Sequence, residues 1–279
     1  MKRPLATAAL FLCGVGYVLA APRPGMTGDF ELHRNFASKI LPTPRDVIVY
    51  LPPGYRSSDR RYPVLYMHDG QNLFDPATGF AGQEWRLDET AEQLIEAGKI
   101  PPLIIIGVYN TGGHRIREYT SGLGENNPPT YARLIVEELK PFIDSHYRTL
   151  QGPGDTGLGG SSLGGLISLA IAFQYPNVFG KLAILSPSVF WNSRVILEEL
   201  KKYRNAARPK IWLDIGTAEG NTPQQTVEDA RALRDALVEK GWKLDVDLRY
   251  FEAEGAAHNE AAWSRRVGPA LEFLFGTGK

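Results

Sequence analysis

The pentapeptide Gly160-Ser161-Ser162-Leu163-Gly164 carries residue types suited to nucleophilic chemistry. It fits the pattern G-x-S-x-G with Ser162 at the centre, a short stretch of small and apolar residues before it and a longer apolar run after it. In that context the serine occupies a strained strand-to-helix turn. Its neighbours must be glycine because larger side chains would collide with the strand and the helix. The start of the helix then points its free N–H groups at whatever negative charge forms there. Ser161 is the competing hydroxyl, and it falls out of register.

A serine needs a base, and the base needs a third group to orient it. Around such a turn the partners follow in chain order as serine, then a carboxylate, then histidine. Of His33, His68, His114, His146 and His258, only His258 comes after Ser162. It sits in "EGAAHNEAAWSRR", after the last predicted strand and at the start of the last predicted helix. His68 ends a core strand and reads as structural or loop-orienting. His114 lies in a long polar loop within reach of a substrate, and His33 and His146 read as surface or packing residues. For the acid, Glu219 in "GTAEG" lies just past a strand end, where the third group belongs. Asp214 lies inside that strand and is the alternative, while Asp229 lies inside the following helix. Together these groups would form an acyl-enzyme on Ser162. The developing oxyanion needs two aimed N–H donors. One is the backbone N–H of Leu163. The other comes from the loop "HDGQN", with Gln71 as the candidate and Gly70 as the alternative. Asp69 in the same loop, Arg117 in the long polar loop and Trp191 in "SPSVFWNS" are candidates for contacting the substrate.

These residues have to be positioned by regular elements. Hydrophobic patterning predicts strands over 29–41 and 45–51 as a hairpin-like start, then over 62–70, 103–110, 156–160, 181–189, 210–217 and 244–253. Helices are predicted over 85–97, 131–147, 163–173, 193–203, 226–240 and 259–275, and residues 112–129 read as a long polar loop. The segment "LIIIGVYN" is apolar on both faces, as in a covered parallel strand. The alternation predicts one α/β domain with a mostly parallel central sheet flanked by helices.

Lys plus Arg and Asp plus Glu both number 31, so the net charge is zero and no basic tract points to nucleic acid. Residues 1–20 read as a signal peptide. Lys2 and Arg3 form its positive start, an apolar run follows, and Val18-Leu19-Ala20 has the small-residue spacing of a cleavage site before Ala21. At roughly 15 residues the run is short for a membrane anchor. Cleavage would leave residues 21–279 as a single domain, secreted or periplasmic. The only cysteine, Cys13, would leave with the leader, which excludes a disulfide and thiol catalysis. The sequence shows no metal-ligand constellation and no cofactor motif, so none of either is expected.

The segments "LPPGY", "YMHDGQNLFD", "KPFIDSHYRT", "GGSSLGG", "DIGTAEG" and "GAAHNEAAW" together resemble the putative-esterase family of α/β-hydrolases. That family includes esterase D, feruloyl and acetyl-xylan esterases, siderophore esterases of the enterochelin type and mycolyltransferases. The resemblance runs over nearly the whole of residues 21–279, with the motifs in the family's order. It implies an α/β-hydrolase fold and a serine carboxylic-ester hydrolase, with Ser162 as nucleophile, Glu219 as acid, His258 as base and oxyanion donors at Gln71 and Leu163. It also implies a small-molecule or polysaccharide-linked ester as substrate, such as a feruloyl ester or a siderophore lactone. An acyltransferase on the same triad is the alternative, and a non-catalytic carbohydrate-binding protein is the reading from a different class.

Overall fold

The structure, a computed structural model, describes the backbone of residues 17–19 together with residues 25–120, 123 and 129–277. The leader read over residues 1–20 lies outside these described residues except at Tyr17–Leu19.

Among the described residues nine strands form one sheet: β1 Tyr17–Leu19, β2 Asp29–Phe36, β3 Arg45–Leu51, β4 Val64–His68, β5 Ile104–Val108, β6 Thr156–Ser162, β7 Lys181–Pro187, β8 Lys210–Gly216 and β9 Leu248–Ala253. Their spatial order is β1-β2-β3-β5-β4-β6-β7-β8-β9. From β5 to β9 every pairing is parallel, and β1, β2 and β3 extend the sheet antiparallel from β5. This is the α/β-hydrolase arrangement, and it matches the mostly parallel sheet expected from the sequence. The central strands β4 and β5 are buried along their whole length, which is why they read as unbroken apolar runs.

The helices are α1 Leu87–Glu96, α2 Arg115–Thr120, α3 Thr130–Arg133, α4 Lys140–His146, α5 Leu163–Gln174, α6 Trp191–Lys202, α7 Pro223–Glu239 and α8 Glu260–Phe275. A π-helical turn at Leu134–Leu139 joins α3 to α4. Alternate residues along each strand go to opposite faces. Val47 and Val49 join α5, α6 and α7 on one face, while Ile48 and Tyr50 join α1 and α8 on the other. Helix α5 is buried from Leu163 to Ala172. A helix walled in on all sides carries apolar residues all round instead of one stripe.

Of the boundaries that differ from the sequence reading, three have a direct physical cause. Residues 115–120 of the expected loop form α2, because Arg115 is held by Asp69 and Glu118 by the buried Arg45, with Tyr119 fully buried between them. The rest of that loop, at 121–122 and 124–128, lies outside the described residues. The last strand starts at Leu248 instead of 244, since Lys243–Asp247 closes a turn whose Asp247 carboxylate accepts the Lys243 N–H. Strand β2 ends at Phe36 instead of 41, just beyond a bulge at Asn35, which has φ 53°.

Candidate functional site

Ser162 ends β6 and directly precedes α5, with φ 57° and ψ −125°. This conformation is strained for any residue with a side chain, and it persists only where the surrounding packing enforces it. The packing is visible at the flanking glycines. A Cβ on Gly160 would lie 3.1 Å from Gly164 carbonyl carbon, and one on Gly164 would lie 3.3 Å from both His68 Cβ and Asp69 Oδ2. The β6–β7 register slips between Ser161, which stands opposite Leu185, and Ser162, which stands opposite Pro187. Ser161 is buried and Ser162 half-buried, which gives Ser162 the exposed hydroxyl.

His258 and Glu219 come together although 39 residues separate them. His258 Nδ1 lies 2.7 Å from Glu219 Oε2. Asn259 caps α8 by accepting the Ala262 N–H, and this fixes where His258 emerges. The imidazole packs edge-on against Trp263, with ring centres 5.0 Å apart. Glu219 is buried, and its other oxygen, Oε1, accepts from Ser186 Oγ at 2.6 Å and from Gly216 N–H at 2.7 Å. Burial favours the neutral acid, but the hydrogen bonds from His258, Ser186 and Gly216 outweigh it and hold the carboxyl below its usual range. An ionised Glu219 accepts only, so Nδ1 carries the proton and Nε2 of a neutral imidazole is left as an acceptor.

Asp214, the alternative acid, stays in the core. It takes the Trp212 indole N–H at 2.8 Å and the Ser186 N–H at 3.2 Å, and it pairs with Arg266 at 3.0 Å. Burial pushes its carboxyl up to about 6 against the pull of Arg266. Among the described residues it has no contact with His258.

A cavity of about 660 Å³ is lined by Ser161, Ser162, His258, Asp69 and Gln71. Gln71 sits in the turn Gly70–Asn72, anchored where its side-chain oxygen accepts the Asn110 N–H at 3.2 Å. Leu163 is the first residue of α5, so its N–H belongs to the helix start beside Ser162. Ser162 Oγ hydrogen-bonds Ser188 Oγ at 3.2 Å, and among the described residues it has no bond to His258. Nucleophile–base bonds are often long before substrate binds.

The three substrate-contact candidates separate. Asp69 lines the cavity, but its carboxylate is consumed by Arg115 through two bonds of 2.7 Å, by Asn110 at 2.7 Å and by Tyr119 at 3.1 Å. Arg117 lies on the exposed side of α2, where it meets His114 at 3.3 Å, and does not line the cavity. A helix at this position turns Arg115 inward and Arg117 out, and a loop reading had no means of choosing between them. Trp191 packs half-buried against the core at the start of α6 and likewise does not line the cavity. Sequence reasoning passed over Arg115, Asn110, Glu260 and Trp263, which do line it. It also passed over Ser186 and Ser188, whose only local signal was "SPS" at the end of a core strand.

Residues 38–274 match the family model described as "Putative esterase". The chain belongs to this family of esterases. The esterase is 32% identical to Uncharacterized protein YjcH of Bacillus subtilis, over 90% of this chain and 98% of that one. It is 27% identical to the Endo-1,4-beta-xylanase/feruloyl esterase of Xylanibacter ruminicola, over 81% of this chain and 29% of that longer protein. Its fold superposes on the enterobactin esterase of Shigella flexneri solved with enterobactin, with a TM-score of 0.69 at 20% identity, covering 85% of this chain and 56% of that one. The esterase is a carboxylic ester hydrolase. Among its described residues no helix is long and apolar enough to cross a membrane.

Proposed function

We propose that this esterase works through a Ser162–His258–Glu219 triad and an acyl-enzyme intermediate. The observation that carries the reading is the 2.7 Å bond between His258 Nδ1 and the buried Glu219, at the wall of the cavity into which the Ser162 turn opens. His258 Nε2 takes the Ser162 proton as Oγ attacks the ester carbonyl. The carbonyl oxygen becomes the oxyanion, facing the N–H groups of Leu163 and Gln71. Collapse of the tetrahedral intermediate expels the alcohol, which takes the proton back from His258. Water, deprotonated by the same imidazole, then attacks the acyl-enzyme and releases the acid with Ser162 regenerated.

The substrate class we infer is an acyl ester of the feruloyl or siderophore-lactone kind. A cavity of about 660 Å³ suits a ligand of that size. Phe80 and Trp263 offer it apolar surface, while Asn72, Asn110 and Arg115 offer polar contacts. The leader over residues 1–20 would export residues 21–279, which N-terminal sequencing of the exported protein checks.

The test is turnover by purified wild type and Ser162→Ala on feruloyl esters, acetylated xylan, siderophore lactones and short p-nitrophenyl esters. The proposal expects hydrolysis of at least one aromatic acyl ester, lost in the variant. Undiminished turnover by Ser162→Ala would sink the triad. Activity confined to acetyl esters would sink the substrate class.

A further inference from the structure

A second cluster of ionisable side chains lies apart from the Ser162 cavity, around the start of α1. Glu84 precedes the helix, and Asp88 and Glu89 stand in its first turn. One carboxylate oxygen from each lies within 4.8 Å of the others. Glu84 Oε2, Asp88 Oδ1 and Glu89 Oε2 are all sealed from solvent and have no hydrogen-bond partner outside the cluster. The Asp88 side chain belongs to a fully buried residue, at 0% exposure.

The Asp88 and Glu89 carboxyl groups also share a hydrogen bond with each other, and the remaining contacts come from outside the cluster. Thr27 N–H donates to Asp88 Oδ2 at 2.7 Å, and Arg86 Nε donates to Glu89 Oε1 at 3.2 Å. The Arg86 backbone N–H bonds the Glu84 carboxylate. Asp88 and Glu89 are thus each held by an outside donor on one oxygen while the other oxygen is left without one.

A buried carboxylate oxygen with no partner is costly, and three at one place repel one another as well. The start of α1 supplies about half a positive charge, well short of balancing three carboxylates.

We propose that Glu84, Asp88 and Glu89 bind a calcium ion. Calcium–oxygen distances of about 2.3–2.6 Å place oxygens on opposite sides of one ion roughly 5 Å apart, and the three oxygens, all within 4.8 Å of one another, meet that limit. An all-oxygen set selects a hard cation over zinc or copper. Magnesium keeps most of its waters and takes one or two carboxylates, whereas this cluster offers three.

The placement gives the ion a task. The segment from Asn72 to Arg86 carries Thr78, Gly79, Phe80 and Ala81 to the wall of the catalytic cavity. It is closed by Trp85 N–H to Asn72 O at 2.9 Å and Leu87 N–H to Leu73 O at 3.1 Å. Calcium at Glu84, Asp88 and Glu89 fastens the far end of this segment to α1. It touches no reacting atom, and the proposal stands independently of the triad.

The experiment titrates the metal-stripped full chain with calcium by calorimetry and with terbium by luminescence, which Trp85 beside Glu84 sensitises. The expected result is one saturable site per chain and a melting temperature raised by several degrees in excess calcium. Glu84→Gln and Asp88→Asn keep the side-chain shape and remove charge, and each should weaken binding at least about tenfold. Should the variants not fold, the wild-type titrations still decide. No saturable calcium or terbium binding, binding unchanged in both folded variants, or equal affinity for magnesium would overturn the proposal.

Discussion

Ser186 Oγ lies 2.6 Å from Glu219 Oε1, and its only proton points there. Its other neighbours, Trp263 Nε1–H at 2.9 Å and Arg266 Nη2 at 3.0 Å, are obligate donors, so the hydroxyl accepts from both. The hydroxyl thus turns two N–H donors into one O–H donor aimed at the carboxylate that orients His258. Ser186 also has φ 44°, a left-handed conformation that a residue with a side chain adopts at a cost.

Removing this hydroxyl tests the relay. A hydrogen bond to a charged group is worth about 1.5–3 kcal/mol, so Ser186→Ala should lower kcat by roughly 10- to 100-fold with KM little changed. Ser186→Gly relieves the backbone and also lacks the hydroxyl. If the hydroxyl matters, both variants lose kcat alike. Recovery of kcat in the glycine variant alone would show that backbone strain, not the relay, is responsible.

Ser162→Ala should cost about 10⁴-fold or more in kcat, the scale on which serine hydrolases lose activity without the nucleophile. Ser161→Ala, on a hydroxyl held within the ladder with Leu185, should stay within about tenfold of wild type. Single-turnover kinetics on both variants check the register, and the reverse pattern would reassign the nucleophile.

The two buried acids should fail in different ways. Glu219→Gln presents an amide to His258, favours the wrong tautomer and should lower kcat by up to about 10⁴-fold in a folded protein. Asp214→Asn removes the nearer of the two carboxylates that pair with the buried Arg266, leaving only Glu219 at 3.5 Å, and breaking a buried pair costs about 3–5 kcal/mol. Its denaturant midpoint should fall while the kcat of the folded fraction holds. A silent Glu219→Gln alongside an inactive, stable Asp214→Asn would exchange their roles.

Stability should depend on pH through His68. Burial first, with Arg115 and Arg45 adding to it, outweighs the pull of Asp69 and lowers the imidazole to about 4 from an ordinary 6.5. The unfolded chain therefore takes up this proton before the folded one does. Stability from His68 is complete above about pH 6.5 and falls away toward pH 4, by roughly 3 kcal/mol in all. Glu219 and Asp69, both held below their usual range, add losses only at lower pH. His33, also lowered by burial, adds to the same slope, so denaturant unfolding across this window should show a steeper slope in wild type than in His68→Phe, and an equal slope in both would exclude His68 as a source.

The sequence by itself determined what local backbone rules encode. The Ser162 turn was legible because a residue forced to φ 57° between strand and helix needs small neighbours, and glycines at 160 and 164 advertise it. The sheet was legible because covered parallel strands are apolar on both faces, and His258 because no other histidine follows Ser162. Only the tertiary structure decided that His258 turns to Glu219 and not to Asp214, since the two acids lie five residues apart and differ in which side of a strand end faces the imidazole. It also decided that Arg115, not Arg117, reaches the cavity, because the helix at 115–120 is held by Asp69 and Arg45 from distant parts of the chain and by burial of its own Tyr119. The Ser186 relay and the sealed oxygens of Glu84, Asp88 and Glu89 carry no spacing motif. Their meaning depends on how completely neighbouring elements exclude water and supply or withhold donors, and that is a property of packing, not of the order of residues along the chain.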